Sequence, residues 1–188
     1  MILSGRNEIS YINTSNETAV GEFRENFGAR LRARHKGEEI IILCIGTDRV
    51  TGDSLGPLVG YKLKNSVDVF HNVKLYGTLE MPVHAKNISE TIERIYNSHS
   101  NPLVVAVDAC LGRLEHIGYV TVGLGAVKPG AGLNYDLPAV GDVYVMGIVN
   151  TFGAMDAYLL QNTRLGLVMR MADVVYHGIM LSMRELFL

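Results

Sequence analysis

The sequence predicts an α/β domain built on a parallel sheet, and three observations carry that expectation. Ile40-Ile41-Ile42-Leu43-Cys44-Ile45 is an unbroken apolar run, mostly β-branched, which is how a strand buried on both faces reads. Pro102-Leu103-Val104-Val105-Ala106-Val107-Asp108 repeats the pattern and ends on a carboxylate. Helical patterns separate the strand-like runs, giving a βαβαβ order with right-handed crossovers. A chain of 188 residues is most simply one domain, 1–188, with room for a real core.

Taken in order, residues 1–17 are polar, rich in Ser, Asn and Thr, and read as a loose arm. Residues 18–36 read as a covering helix, with Phe23, Phe27 and Leu31 recurring every four residues. After the strand at 40–46 comes the polar loop Thr47-Asp48-Arg49-Val50-Thr51-Gly52. Asp53-Ser54-Leu55-Gly56-Pro57 then opens a helix, with Asp53 expected at its N-cap and Pro57 inside its first turn. That helix runs to about Lys64. A short strand is expected at 73–79, a loop at 80–85 and a helix at roughly 86–97, with Ile88, Ile92 and Ile95 on one side. The strand at 102–108 follows. The remainder is more β-like, with strands at 117–123 and 143–149 around Lys128-Pro129-Gly130-Ala131-Gly132-Leu133-Asn134, whose composition allows close approach to a ligand. Thr151 is expected to cap a helix starting near Phe152. The last helix spans about 163–186, with Leu165, Val168, Met169, Ala172, Val175, Ile179 and Met183 on its apolar side.

Composition narrows the function classes. Apolar residues make up 48% and charged residues 19%, so the chain is globular. A net charge of −2 offers no electrostatic footprint for nucleic acid. The two cysteines, Cys44 and Cys110, sit in or just after strand-like runs, which speaks for a reducing compartment and against a disulfide framework. No signal peptide and no uncharged run long enough to span a membrane is visible, so a cytoplasmic protein is expected.

The chemistry-bearing positions gather at one edge of the expected sheet. In open α/β sheets ligands bind at the carboxyl ends of the strands, where Asp53 and Asp108 both fall if their strands are neighbours. Two carboxylates there can share a proton, with one pKa raised and the other lowered. The ionised acid then polarises a water, and the protonated one donates to a carbonyl oxygen or leaving group. The same pair could instead hold a divalent metal. Asp48 is a turn former and a second acidic candidate. His84 lies in a loop at the same edge as a possible ligand, base or substrate contact. A nucleophilic Cys110 would need a histidine close in space, and no such partner is legible. The chain has no G-x-x-x-x-G-K-[ST] loop, no G-x-G-x-x-G, no G-x-S-x-G elbow and no H-E-x-x-H.

Ile45-Gly46-Thr47-Asp48-Arg49-Val50-Thr51-Gly52-Asp53-Ser54-Leu55-Gly56-Pro57 resembles the first active-site loop of the spore germination proteases. Val105-Ala106-Val107-Asp108-Ala109-Cys110-Leu111 resembles the second, and Lys128-Pro129-Gly130-Ala131-Gly132-Leu133-Asn134 is similar to a later Pro-Gly-x-Gly segment. The likeness covers about residues 40–188 and is nearest to the YyaC type of sporulation protein, within a superfamily that includes the hydrogenase maturation endopeptidases. It implies a three-layer α/β/α, phosphorylase/hydrolase-like fold with a peptidase-like core at 40–188. It implies hydrolysis of peptide bonds by Asp53 and Asp108. Asp48, His84, Gly130 and Gly132 would line the substrate groove. No resident cofactor is implied, although a divalent metal at Asp53 and Asp108 stays open. The partner would be a protein or peptide, with neither nucleic acid nor membrane, and a homo-oligomer is compatible. A forespore or spore interior is the implied location. In the maturation enzymes a later histidine helps read a metal carried by the substrate, and the Lys128 region here has none. Two other readings remain: a non-catalytic sporulation protein that binds a partner through the acidic crevice, and a metal-dependent hydrolase.

Overall fold

The computed structural model describes residues 9–129, 137–153 and 155–188. Six strands form one sheet: β1 (Ser10–Asn13), β2 (Ile40–Cys44), β3 (Val73–Tyr76), β4 (Leu103–Gly112), β5 (Tyr119–Leu124) and β6 (Val143–Thr151). The spatial order is β1-β5-β6-β4-β2-β3. β6, β4, β2 and β3 run parallel, and β5 and β1 add antiparallel pairings at one side. The expected α/β class with a mostly parallel sheet is what forms.

Helices α1 (Ala19–Arg34), α2 (Leu55–Leu63) and α5 (Leu165–Phe187) cover one face. Their apolar sides meet Ile40, Ile42, Cys44, Val105, Val107 and Val145 in the main core. Helix α3 (Ile88–Ser98) covers part of the other face, laying Ile88 and Ile95 on Ile41, Leu43, Val104 and Ala106. The layers are therefore α/β/α. A short helix α4 (Asp156–Gln161) packs beside a 3-10 turn at Thr51–Asp53. By length and mean hydropathy, 1.2 over its most apolar window, α5 would pass for a membrane span. Half of that window is buried inside the domain, and Gly178 lets the ring of Phe23 lie against the helix backbone.

Several expectations change. The arm at 1–17 is not loose beyond residue 9. Residues Ser10–Asn13 pair with β5, and Thr14 Oγ1 donates to Gly118 O at 2.6 Å. Ile12 is buried on the α1 side while Tyr11 stays exposed. A strand this short alternates too briefly to be seen in a polar segment. The final helix buries Val168, Ala172, Val175, Ile179 and Met183 as expected, but Leu165 in its first turn is 55% exposed. Thr151 caps no helix: it ends β6, and α4 begins later, at Asp156.

The edge strand carries a prediction. Truncating Ile12 to alanine leaves a void under α1 and should cost about 2–4 kcal/mol, read as a lower urea midpoint with an unchanged m-value. A loss under about 0.5 kcal/mol, the range of surface substitutions, would mean that β1 is dispensable to the core.

Candidate active site

The connections of the sheet part at β2 and β4. From β2 the chain leaves through α2 toward β3, whereas from β4 it goes on to the β5–β6 side. This is the point in an open sheet where the connections part and leave room for a ligand. The two strands are parallel neighbours, paired from Ile40–Leu103 to Cys44–Val107. β2 then stops, with a last bond from Ile45 N–H to Val107 O at 2.7 Å. β4 continues to Gly112, held by β6 alone. Asp108 is the first β4 residue beyond that parting, so it lies inside a strand and does not terminate one. The sequence boundary at 108 failed because β6, distant in the chain, supplies the extra ladder.

Asp53 arrives from the other wall. After Ile45 the chain folds into the 3-10 turn, Thr47 N–H donates to Asp53 O at 2.9 Å, and Asp53 N–H donates to Val50 O at 2.9 Å. Two glycines make the turn this tight. Gly46 has φ +135°, and a Cβ there would stand 2.0 Å from Asp53 O. A Cβ on Gly56 would stand 2.0 Å from Ile45 O. Asp53 was expected to cap α2. Instead Ser54 occupies the cap position, with its Oγ turned back to Thr51 O at 2.7 Å. Asp53 is thus released from capping, and Pro57 sits in the first turn of α2 as expected.

The two acids sense each other. Asp108 is 3% exposed, and its Oδ1 accepts the N–H of Ala109 at 2.7 Å. Burial first, then the charge of Asp53, pushes its pKa well above the ordinary value, against the pull of that N–H. Burial also raises Asp53, to about 6, opposed by the Thr47 N–H. The two shifts have the same direction, and for Asp108 the charge of Asp53 adds to burial in favouring the protonated form.

The other candidates are placed as follows. His84 is half-buried in a loop tied to the end of β2: Val83 bridges Ile45, and Gly46 N–H donates to Val83 O at 2.8 Å. Its Nδ1 accepts Lys86 N–H at 3.3 Å, so the proton of the neutral ring sits on Nε2. Asp48 is exposed, in the loop between Gly46 and the 3-10 turn. Gly130 and Gly132 lie outside the described residues. Cys44 and Cys110 are free thiols. Burial and the nearby Asp108 push Cys110 up to about 12, which leaves almost no thiolate for nucleophilic work. Among the described residues no group of three or more His, Cys, Asp or Glu is arranged to hold a metal ion. The acidic pair has no third ligand there.

The family model described as a protein of unknown function, DUF1256, matches residues 11–178. The chain belongs to the DUF1256 family. A DUF1256 relative of known sequence, the uncharacterized protein YyaC of Bacillus subtilis (strain 168), is 49% identical over 175 residues, covering 93% of this chain and 83% of that protein. The YyaC-type likeness read from the motifs is borne out. Among solved structures, the NiFe hydrogenase maturation protease HycI from Thermococcus kodakarensis KOD1 is similar to this DUF1256 chain with a TM-score of 0.46 and 20% identity, over 81% of this chain and 97% of that one.

Proposed function

We propose that this DUF1256 protein is an endopeptidase of the germination-protease type, acting in a sporulating or germinating cell, with Asp53 and Asp108 as its catalytic pair. What supports the reading is the position of a buried Asp108 at the parting of β2 and β4, with its pKa raised by burial and by the charge of Asp53. In this reading the carboxylate of Asp53 takes a proton from water as the water oxygen bonds to the peptide carbonyl carbon. Asp108 gives its proton to the carbonyl oxygen. On collapse of the tetrahedral intermediate the C–N bond breaks, Asp53 protonates the leaving amine, and Asp108 recovers its proton from the hydroxyl. His84, on a loop bonded to the same strand end, is proposed to contact the substrate, as are Asp48, Gly130 and Gly132.

The test is the pH dependence of cleavage, with unfolded casein and a small acid-soluble spore protein as substrates. Activity requires Asp53 ionised and Asp108 protonated. The value of kcat/KM should therefore rise as pH passes about 6 and fall at higher pH, where Asp108 ionises. A profile without the acidic limb would remove Asp53 as the base. Activity lost to a chelator and restored by one divalent ion would favour the metal-dependent reading. Absence of cleavage with an intact fold would favour partner binding.

A further inference from the structure

The sheet face that carries Asp108 is only partly covered. In β4, Asp108 and Cys110 project to the same side as Val104 and Ala106, because side chains alternate along a strand. Helix α3 covers Val104 and Ala106. Among the described residues no helix packs on the part beyond them. Register extends this open face across the sheet. Asp108 stands opposite Met146, Cys110 opposite Ile148, and Ala106 opposite Tyr144. Thr121 is opposite Met146, and Tyr11 opposite Thr121. These residues, Asp108 and Ala106 apart, line a cavity of about 740 Å³.

Its shape is set by small residues. A Cβ on Gly123 would lie 2.3 Å from the Tyr144 ring, so the missing side chain lets that ring lie flat along the sheet. A Cβ on Gly112 would lie 2.7 Å from Ile148 Cγ2. Cys110 and Thr121 are short as well. The result is a depression whose floor is mainly apolar and aromatic, with Arg113 and His116 also on its lining. Three large apolar side chains at its margin, Ile9 45%, Tyr11 48% and Phe152 62% exposed, are left in water on this one face. Concentrated apolar exposure of this kind marks a binding surface.

We propose that this depression is the specificity subsite of the peptidase, receiving an apolar or aromatic side chain next to the bond held at Asp53 and Asp108. The proposal rests on the hydrolytic reading above, because the continuity of β4 from Asp108 to Cys110 is what puts the depression beside the acids. Met146 is the central contact: its register partners are Asp108 on one side and Thr121 on the other. An extended substrate crossing the ends of β4 and β6 would place one residue at the acids and a neighbouring side chain over Met146.

The experiment titrates the full-length protein, with methyl-labelled methionine, against blocked peptides carrying Phe, Ala or Glu at the centre of four glycines. Met146 methyl shifts and cleavage are both read. The Phe peptide should move the Met146 methyl and bind at least about ten-fold tighter than the Ala peptide, the gain expected from burying the larger apolar side chain. Met146→Lys should abolish that preference and improve binding of the Glu peptide. Met146→Gln serves as the milder variant if the lysine protein does not fold. Cleavage with an unmoved Met146 methyl would overturn the subsite and leave the acids standing. A shifted methyl with the expected ranking but no cleavage would sustain the groove and overturn hydrolysis. Neither response would overturn both.

Discussion

Asp53→Asn and Asp108→Asn should each reduce peptide cleavage by about 10²–10⁴-fold, the range for removing an acid or base from a reacting centre. The two should differ in pH response. Without Asp53 the acidic limb near pH 6 disappears, and without Asp108 the alkaline limb does. Stability should move the other way. Both acids have folded pKa values raised above the ordinary 3.8. The folded state therefore keeps protons that the unfolded chain has released. The stability these two acids contribute is fully present below pH 3.8 and is lost as pH rises toward their folded pKa values. For Asp53 the window runs from 3.8 to about 6, and the loss is about 2 kcal/mol after allowance for the solvent still reaching it. Asparagine cannot ionise and removes that loss. It also keeps an oxygen for the Ala109 N–H at position 108. The expected result is an inactive protein with a higher melting temperature than wild type at pH 8. An aspartate that only ties down its loop would show the reverse, with asparagine lowering the melting temperature, and such a result would end the dyad proposal.

Gly56→Ala should be among the most damaging single-methyl additions near the site. The new Cβ would stand 2.0 Å from Ile45 O and 2.6 Å from Ile45 N. Both atoms are backbone of a buried segment, so neither α2 nor the end of β2 can yield without moving the other. A loss of about 3–5 kcal/mol is expected, at the upper end for overpacking, measured by urea unfolding. At temperatures where the variant remains folded, activity should still fall, because Asp53 is carried on the segment displaced. Gly21→Ala is the control. It lies inside α1 with nothing within 4 Å of the added Cβ and should stabilise by about 0.5–1 kcal/mol through helix propensity alone. Equal effects at the two positions would mean that the contact at Gly56 is not what constrains the loop.

What could be read before folding came from patterns that act locally. Ile40 to Ile45 and Leu103 to Val107 have apolar residues at every position, and only a strand covered on both faces hides such a run. The α/β class and a parallel sheet followed, whereas the pairing of those two strands with each other was decided by the fold. The spacing of Gly46, Gly52 and Gly56 around Asp53 was legible as a motif; Gly46 and Gly56 answer clashes with backbone close along the chain, whereas Gly52 makes room for Leu160 of α4.

The remainder depended on partners far away in sequence. The strand at Ser10–Asn13 exists because β5 offers it an edge. The extension of β4 past Asp108 exists because β6 pairs with it after β2 has turned away. The shift of the helix cap from Asp53 to Ser54 follows from the tight return of the chain against Gly46. In the first two cases the deciding hydrogen bonds join segments far apart in the chain; the cap shift is set by local bonds of a tight loop that periodicity does not describe. By itself the sequence determined the buried strands at 40–45 and 103–107, the main helices and the positions of the acids. The tertiary structure alone decided that Asp108 is sealed from water within reach of the charge on Asp53, because burial and electrostatic coupling are properties of neighbours in space.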